Sequence, residues 1–366
     1  MPTPNEILQF HCPVVVQGSR IAWAAGKYLV VYNFETTKFE TDFGEPCLHS
    51  DTIRAIAFGP NHTDKGPIVT AGEDKRVVLH SVETKSFLHG KKIMAIHIDE
   101  EERIIFGDKF GDFYRMNQSF PSSGEAGAMA ADENDPADED EEDERSPKFM
   151  ELMFGHISAI STSLFSCRRN ILITADRDEK IRIAKYPRAD VIESFLLKHK
   201  RYVSHLVWGN KEKTVLVSAG ADGQIVEWDI AEPGKPRIVK CHNTGYDGFH
   251  TVTCNVETGE IFFVPVEHAN TIFVIGGRQY ESLPFEIQTL KMVPLNGQQK
   301  LICIDANSHL HVLNEGAVET SIRLSRDIAG VPISYLKMVH HENLNDEDNQ
   351  VGGEEPKRKK KGGPFS

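Results

Sequence analysis

The sequence predicts an all-β fold, a ring of seven four-stranded blades, and three observations carry that prediction. Residues 68–80 (IVTAGEDKRVVLH), 171–184 (ILITADRDEKIRIA) and 215–229 (VLVSAGADGQIVEWD) repeat one pattern: an apolar strand, a small-residue turn holding an Asp, then an alternating strand. A His stands upstream of each (His49, His156 and His199), with His156 and His199 43 residues apart and Asp178 and Asp222 44 apart. The chain is also long and apolar enough for a large core, with 366 residues, 40% of them hydrophobic.

Taken in order, blade one falls in 18–43, blade two around 68–80, blade three in 93–116 and blade four around 171–184; blade five lies around 215–229, blade six in 249–280 and blade seven in 288–313. The spacing and the Trp228-Asp229 dipeptide match the 40–45-residue WD40 repeat. Blades are small twisted sheets that cannot bury both faces alone, so radial packing of many of them makes the core. The expectation is thus a seven-bladed WD40 β-propeller over residues 1–340. A strand near 7–16 or near 331–339 is expected to complete the last blade and shut the ring.

Two stretches fall outside this pattern. Residues 119–148 combine small residues, Pro and a like-charge block, and predict a disordered acidic insertion between blades three and four. Residues 341–366 predict a disordered tail that carries Lys357, Arg358, Lys359, Lys360 and Lys361, a compact cationic run that suits a nuclear import signal.

The formal charge of −13 is local in origin. Asp132 to Glu144 holds ten acidic residues and no basic one, and removing those ten leaves −3 on the rest. Bulk charge therefore neither demands nor forbids a nucleic-acid partner. No apolar run reaches the length that crosses a bilayer, and the start lacks a basic region ahead of an apolar stretch, so a soluble, non-secreted protein with no membrane partner is expected. The six cysteines (Cys12, Cys47, Cys167, Cys241, Cys254 and Cys303) form no C-x-x-C pair, which argues against a zinc site and for reduced thiols in the nucleus or cytoplasm.

In WD repeats a His, a Ser or Thr, an Asp and a Trp form a hydrogen-bonded set that ties turn to strands. His199, Ser218, Asp222 and Trp228 fill all four places in blade five; His156, Thr174 and Asp178 fill three in blade four, with Ala184 where Trp is expected; His49, Thr70 and Asp74 fill three in blade two, with His80 there. Recurring once per blade, these residues read as structural rather than catalytic. The chain has no phosphate-binding G-x-x-x-x-G-K-[ST] loop, G-x-S-x-G elbow, zinc-protease motif or Rossmann fingerprint. No enzymatic activity and no cofactor are expected of it.

Residues 176–182 (DRDEKIR), Tyr186-Pro187, Ile192, Phe195, His199, Val203 and Ser204 resemble the WD-repeat, non-catalytic subunit of the eukaryotic tRNA (guanine-N7)-methyltransferase. The resemblance is strongest over 150–230. It implies a scaffold that docks, through the side of its middle blades, onto a Rossmann-type catalytic subunit holding S-adenosylmethionine, the pair forming N7-methylguanosine in the tRNA variable loop. By residue match the docking surface would comprise Asp178, Glu179, Lys180 and Arg182 of blade four with Lys200 and Arg201 opening blade five. The tRNA would be met mainly through the complex, with a few phosphate contacts from Lys198, Lys200, Arg201, Arg168 or Arg169. The competing reading is a WD40 adaptor of a chromatin or ubiquitin ligase complex that grips a peptide at the top face of the ring.

Overall fold

Alternation of apolar and polar residues sets the strands, and each blade sends alternate side chains into the seams on either side of it. The structure, a computed structural model, describes residues 12–40, 48–60, 66–81, 84–116, 150–295 and 297–322. Among these, 28 strands form seven antiparallel sheets of four, and the only helical segment is a 3₁₀ turn at Val266–His268. Blade one spans 14–39, blade two 53–88, blade three 93–155, blade four 160–196, blade five 203–243, blade six 249–279 and blade seven 287–322.

The core is divided among the seams. Seven apolar clusters each join one neighbouring pair of blades, including blade seven to blade one. That last seam holds the fully buried Trp23 against Val293, Ile302 and Ile304, and its indole N–H donates to the Ser308 carbonyl at 3.0 Å, so the ring's largest core side chain leaves no polar atom unpaired.

Two expectations need correction. Val14–Gln17 is not a closing strand of blade seven; it is the inner strand of blade one, paired Val14↔Trp23 to Gln17↔Arg20. Blade seven supplies its own outer strand, Ala317–Ile322, because Glu315 and Gly316 adopt positive φ (47° and 86°) and turn the chain straight back onto Leu310–Asn314. Among the described residues the ring therefore closes by side-chain packing, without a shared sheet; residues 7–11 and 331–339 lie outside them. The acidic stretch is also not between blades three and four. Asp112–Met116 pairs with Met150–Gly155 in the blade-three sheet, which places the insertion inside that blade, between its third and outer strands. Residues 119–148 themselves, and the tail from 341, are outside the described residues.

Candidate functional site

Blade five shows the hydrogen-bonded set complete. His199 Nδ1 lies 3.1 Å from Asp222 Oδ1, His199 Nε2 lies 2.8 Å from Ser218 Oγ, and the Trp228 indole N–H donates to the same hydroxyl at 2.9 Å. One assignment satisfies every atom: Nδ1–H donates to the carboxylate, the Ser218 hydroxyl donates to Nε2, and Ser218 Oγ accepts from Trp228. Asp222 also accepts from the backbone N–H of Lys200 at 2.8 Å and of Gln224 at 3.2 Å. Burial pushes its carboxyl upward, but the His199 bond and these N–H donors outweigh that and hold it below the ordinary range. Blade two repeats the set with His49, Asp74 and Thr70, where His80 Nε2 meets the Thr70 hydroxyl at 2.9 Å in the place of Trp.

Blade four departs from its expected pattern. His156 Nδ1 faces Asp176 Oδ2 at 3.1 Å and Nε2 faces Thr174 Oγ1 at 2.8 Å, so the carboxylate of this set is Asp176, not Asp178. The cause is steric. In blades two and five the second position after the Thr or Ser is Gly72 or Gly220, where a Cβ would come within 2.2 Å of the Thr52 carbonyl or 2.5 Å of His199 Nδ1 and 2.6 Å of Asp222 Oδ1. Blade four places an Asp at that position, and its side chain fills the space that Asp74 or Asp222 reaches from the turn. Asp108 and Asp305 occupy the same strand position in blades three and seven, after Phe106 and Cys303 in place of the Thr or Ser; Asp108 faces Nε2 of the upstream His89 at 3.3 Å, whereas Asp305 faces Nε2 of His311, on the next strand of its own blade, at 3.1 Å. The discriminating signal is local: Gly two residues after the Thr or Ser demands the carboxylate from the turn, and Asp there supplies it directly.

The consequence is a turn released from structural duty. Asp176 accepts the backbone N–H of Asp178 at 2.9 Å and of Lys180 at 3.3 Å, while the side chains of Asp178, Glu179 and Lys180 are exposed. Glu179 sits at φ 69°, the left-handed residue that reverses the chain. Ile181 pairs with Leu196, so this turn stands at the same end of the sheet as exposed Leu197 and Lys198. Lys200 is exposed and Arg201 half-buried over blade five, its guanidinium donating to the Ala221 carbonyl at 3.3 Å.

Arg182 does not join that surface. It is buried in the seam with blade three, its guanidinium 4.1 Å from the Phe154 ring centroid and donating to the Ala189 carbonyl at 2.6 Å, with Nε unpaired. Burial pushes its guanidinium below the ordinary value against the opposing charge of Asp190. Arg169 is likewise occupied, donating to the carbonyls of Lys213, Ile230 and Ala231 at 2.8, 3.0 and 2.9 Å, and so ties blade four to blade five; Arg168 is exposed. Tyr186, followed by a cis bond to Pro187, donates to Asp99, which also holds Arg103 at 2.7 Å, linking blade four to blade three.

Charge patterning alone missed the apolar part of this face. The outer strand of blade four, Ile192–Leu196, exposes Ile192 at 44% and Phe195 at 45%, and Leu197 just beyond it at 69%. Ser194 donates to the Pro233 carbonyl of blade five at 2.6 Å, and the outer strand there, Arg237–Asn243, exposes Ile238 and Val239. Apolar side chains displayed beside mixed charges on adjoining outer strands form a surface suited to another protein. Among the described residues no group of three or more His, Cys, Asp or Glu side chains is placed to hold a metal ion, and no helix is long and apolar enough to cross a membrane. Lys357–Lys361 lie outside the described residues.

Comparison with known proteins adds a family. Residues 122–320 match the family model described as the tRNA methyltransferase TRM82 WD40 domain. A Dictyostelium discoideum protein named tRNA (guanine-N(7)-)-methyltransferase non-catalytic subunit wdr4 is 29% identical over 270 residues, 70% of this chain and 55% of its own. A Caenorhabditis elegans non-catalytic subunit of the same enzyme is 32% identical over 208 residues, 52% of this chain and 44% of that one. The chain thus spans about half the length of these curated relatives. Among solved structures, a chain of a mitotic checkpoint complex superposes with a TM-score of 0.63 at 11% identity, covering 86% of this chain and 94% of that one, and a Cps50 (Swd1) β-propeller domain superposes with a TM-score of 0.63 at 8% identity, covering 82% and 96%. Both likenesses concern the fold alone.

Proposed function

Because the chain belongs to the TRM82 WD40 family, we propose that it is the non-catalytic subunit of a tRNA (guanine-N7)-methyltransferase, a rigid scaffold that docks onto and stabilises a separate catalytic subunit. That partner binds S-adenosylmethionine, and the pair forms N7-methylguanosine in the tRNA variable loop. The observation that carries this reading is the outer face of blade four, inside the matched stretch: apolar Ile192, Phe195 and Leu197 beside the released turn Asp178, Glu179 and Lys180. Apolar anchors supply binding energy, while charges at the rim set orientation and association rate. Lys200 and Arg201 extend the charged rim onto blade five. Arg182 acts at one remove, by holding the segment at Ala189 that leads into the outer strand.

Transfer of the methyl group asks nothing of this chain's side chains in this scheme; its contribution is geometric, keeping the catalytic subunit in the orientation that accepts tRNA. Contact with tRNA runs mainly through the complex, with exposed Lys198, Lys200 and Arg168 available to phosphates. The nucleus is the proposed location, with Lys357–Lys361 as the import signal, tested by moving a fluorescent fusion to the cytoplasm on removal of 356–361.

The decisive experiment is reconstitution. Methyl transfer to tRNA is measured for the catalytic subunit alone, with this chain, and with the double variant Phe195→Asp, Leu197→Asp. Full activity requires the unaltered chain, and the variant keeps its melting temperature but loses co-purification and stimulation. Full activity of the partner alone, an undisturbed complex with the variant, or loss of binding only when a peptide occupies the top of the ring would each overturn the reading.

A further inference from the structure

The inner strands of the blades surround an axial cavity of about 520 Å³. Its lining includes the basic residues Arg54, Lys213 and Lys291 and the imidazoles of His97, His205 and His250, and contains no Asp or Glu. Two of the three basic groups have company. Arg54 is tied to Glu73, and the Lys213 ammonium stands 5.6 Å from the Trp208 ring centroid. Lys291, on the inner strand of blade seven, has neither an acceptor within hydrogen-bond distance nor a carboxylate partner among the described residues. A half-buried ammonium with no counter-charge beside it, in a channel that also holds Arg54 and Lys213, draws an anion that can reach it.

We propose that the axial cavity is a binding site for a small phosphate-type oxyanion, either free or as the ester group of a small metabolite, held by Lys291. The neighbouring groups suit that chemistry. Thr289, two residues earlier, lines the cavity, and its hydroxyl lies 3.5 Å from that of buried Thr251 across the seam with blade six; Thr251 Oγ1 already accepts the Leu290 N–H at 3.0 Å, which leaves the Thr289 hydroxyl to turn toward a phosphate oxygen. His97 bonds to the Ser163 hydroxyl at 2.8 Å, and burial keeps its imidazole neutral, with its pKa down to about 4, so it brings no charge of its own and the pull on an anion at this point is that of the lysine. Burial alone also pushes the Lys291 ammonium below its ordinary value, which a bound anion reverses. The volume falls within the range of small-molecule sites. Such a ligand would brace all seven inner strands from within, independently of any partner on the outer rim.

The test uses the purified full-length chain in chloride buffer at constant ionic strength, titrated with inorganic phosphate and, separately, with adenosine 5′-monophosphate. Phosphorus-31 line broadening and melting temperature report binding. The expected result is saturable broadening with a rise in melting temperature that grows with the logarithm of ligand concentration. A preference for phosphate identifies the free ion, and a preference for the nucleotide identifies an ester. Lys291→Met weakens binding by about tenfold or more, as loss of a buried charged partner does. In chloride it melts no lower than the unaltered chain. If that variant does not fold, Lys291→Gln takes its place. Absence of saturable binding of either probe to the unaltered chain, or equal affinity in the variant, overturns the proposal.

Discussion

At the scale of single residues, Asp176 and Asp178 sit two apart in the same turn and have opposite duties. Asp176 is buried, bonded to His156 and to two backbone N–H groups, so Asp176→Ala leaves those donors unpaired and is expected to destabilise the chain by about 1–3 kcal/mol in denaturant unfolding. Asp178→Ala removes an exposed carboxylate and is expected to change stability by less than about 0.5 kcal/mol. Asp222→Ala behaves like the first of these, since Asp222 holds His199 and two N–H donors in blade five. Equal melting of the Asp176 and Asp178 variants would show the carboxylate assignment to be wrong. The repeat spacing made Asp178 the natural choice, because it occupies the same turn position as Asp74 and Asp222; only the space closed to a Cβ at Gly72 and Gly220 tells the two arrangements apart.

Individual strands show which signals in the chain were readable and which were not. The His, Ser, Asp and Trp of blade five and the apolar alternation of every blade specify local hydrogen bonds and two-sided burial, and these the sequence displays directly. Pairing across a long excursion is different: nothing between 116 and 150 announces that Met150–Gly155 returns to the same sheet, and the partner of a strand is fixed by three-dimensional proximity, not by spacing. Arg182 reads as a surface charge within DRDEKIR, yet the ring of Phe154, brought over it by that returning strand, makes it a seam residue. The pairing yields its own expectation. Replacing 119–148 with a short Gly-rich linker leaves both strands in place and keeps the melting temperature within a few degrees, while Phe154→Ala, which opens a hole in the seam with blade four, lowers stability by about 3–5 kcal/mol. Thermal unfolding of the two variants side by side checks this.

Across the whole molecule, protonation acts on several blades at once. Burial lowers His80, His97 and His250 from 6.5 to about 4, so in the folded ring they stay neutral where the unfolded chain takes up protons. Their folded values lie below the unfolded ones; the stability they allow is complete above about 6.5 and is lost as pH falls from there toward 4. Asp74, Asp222 and Asp305, held below 3.8, act in the same direction at lower pH: their contribution stands above the ordinary carboxylate range and disappears as pH falls through their lowered values. Melting temperature is expected to decline steadily between pH 6.5 and 4 and more steeply below; a flat profile between 7 and 4 would contradict the neutral histidines. The junction of the first and last blades has one more effect. Trp23 and its aliphatic neighbours bridge it, and among the described residues no ladder of backbone bonds crosses it. Tension applied to the two chain ends is therefore expected to gape the wheel there first, like a clasp ring, with each sheet still whole, and single-molecule stretching should register that early, low-force event before any blade unravels.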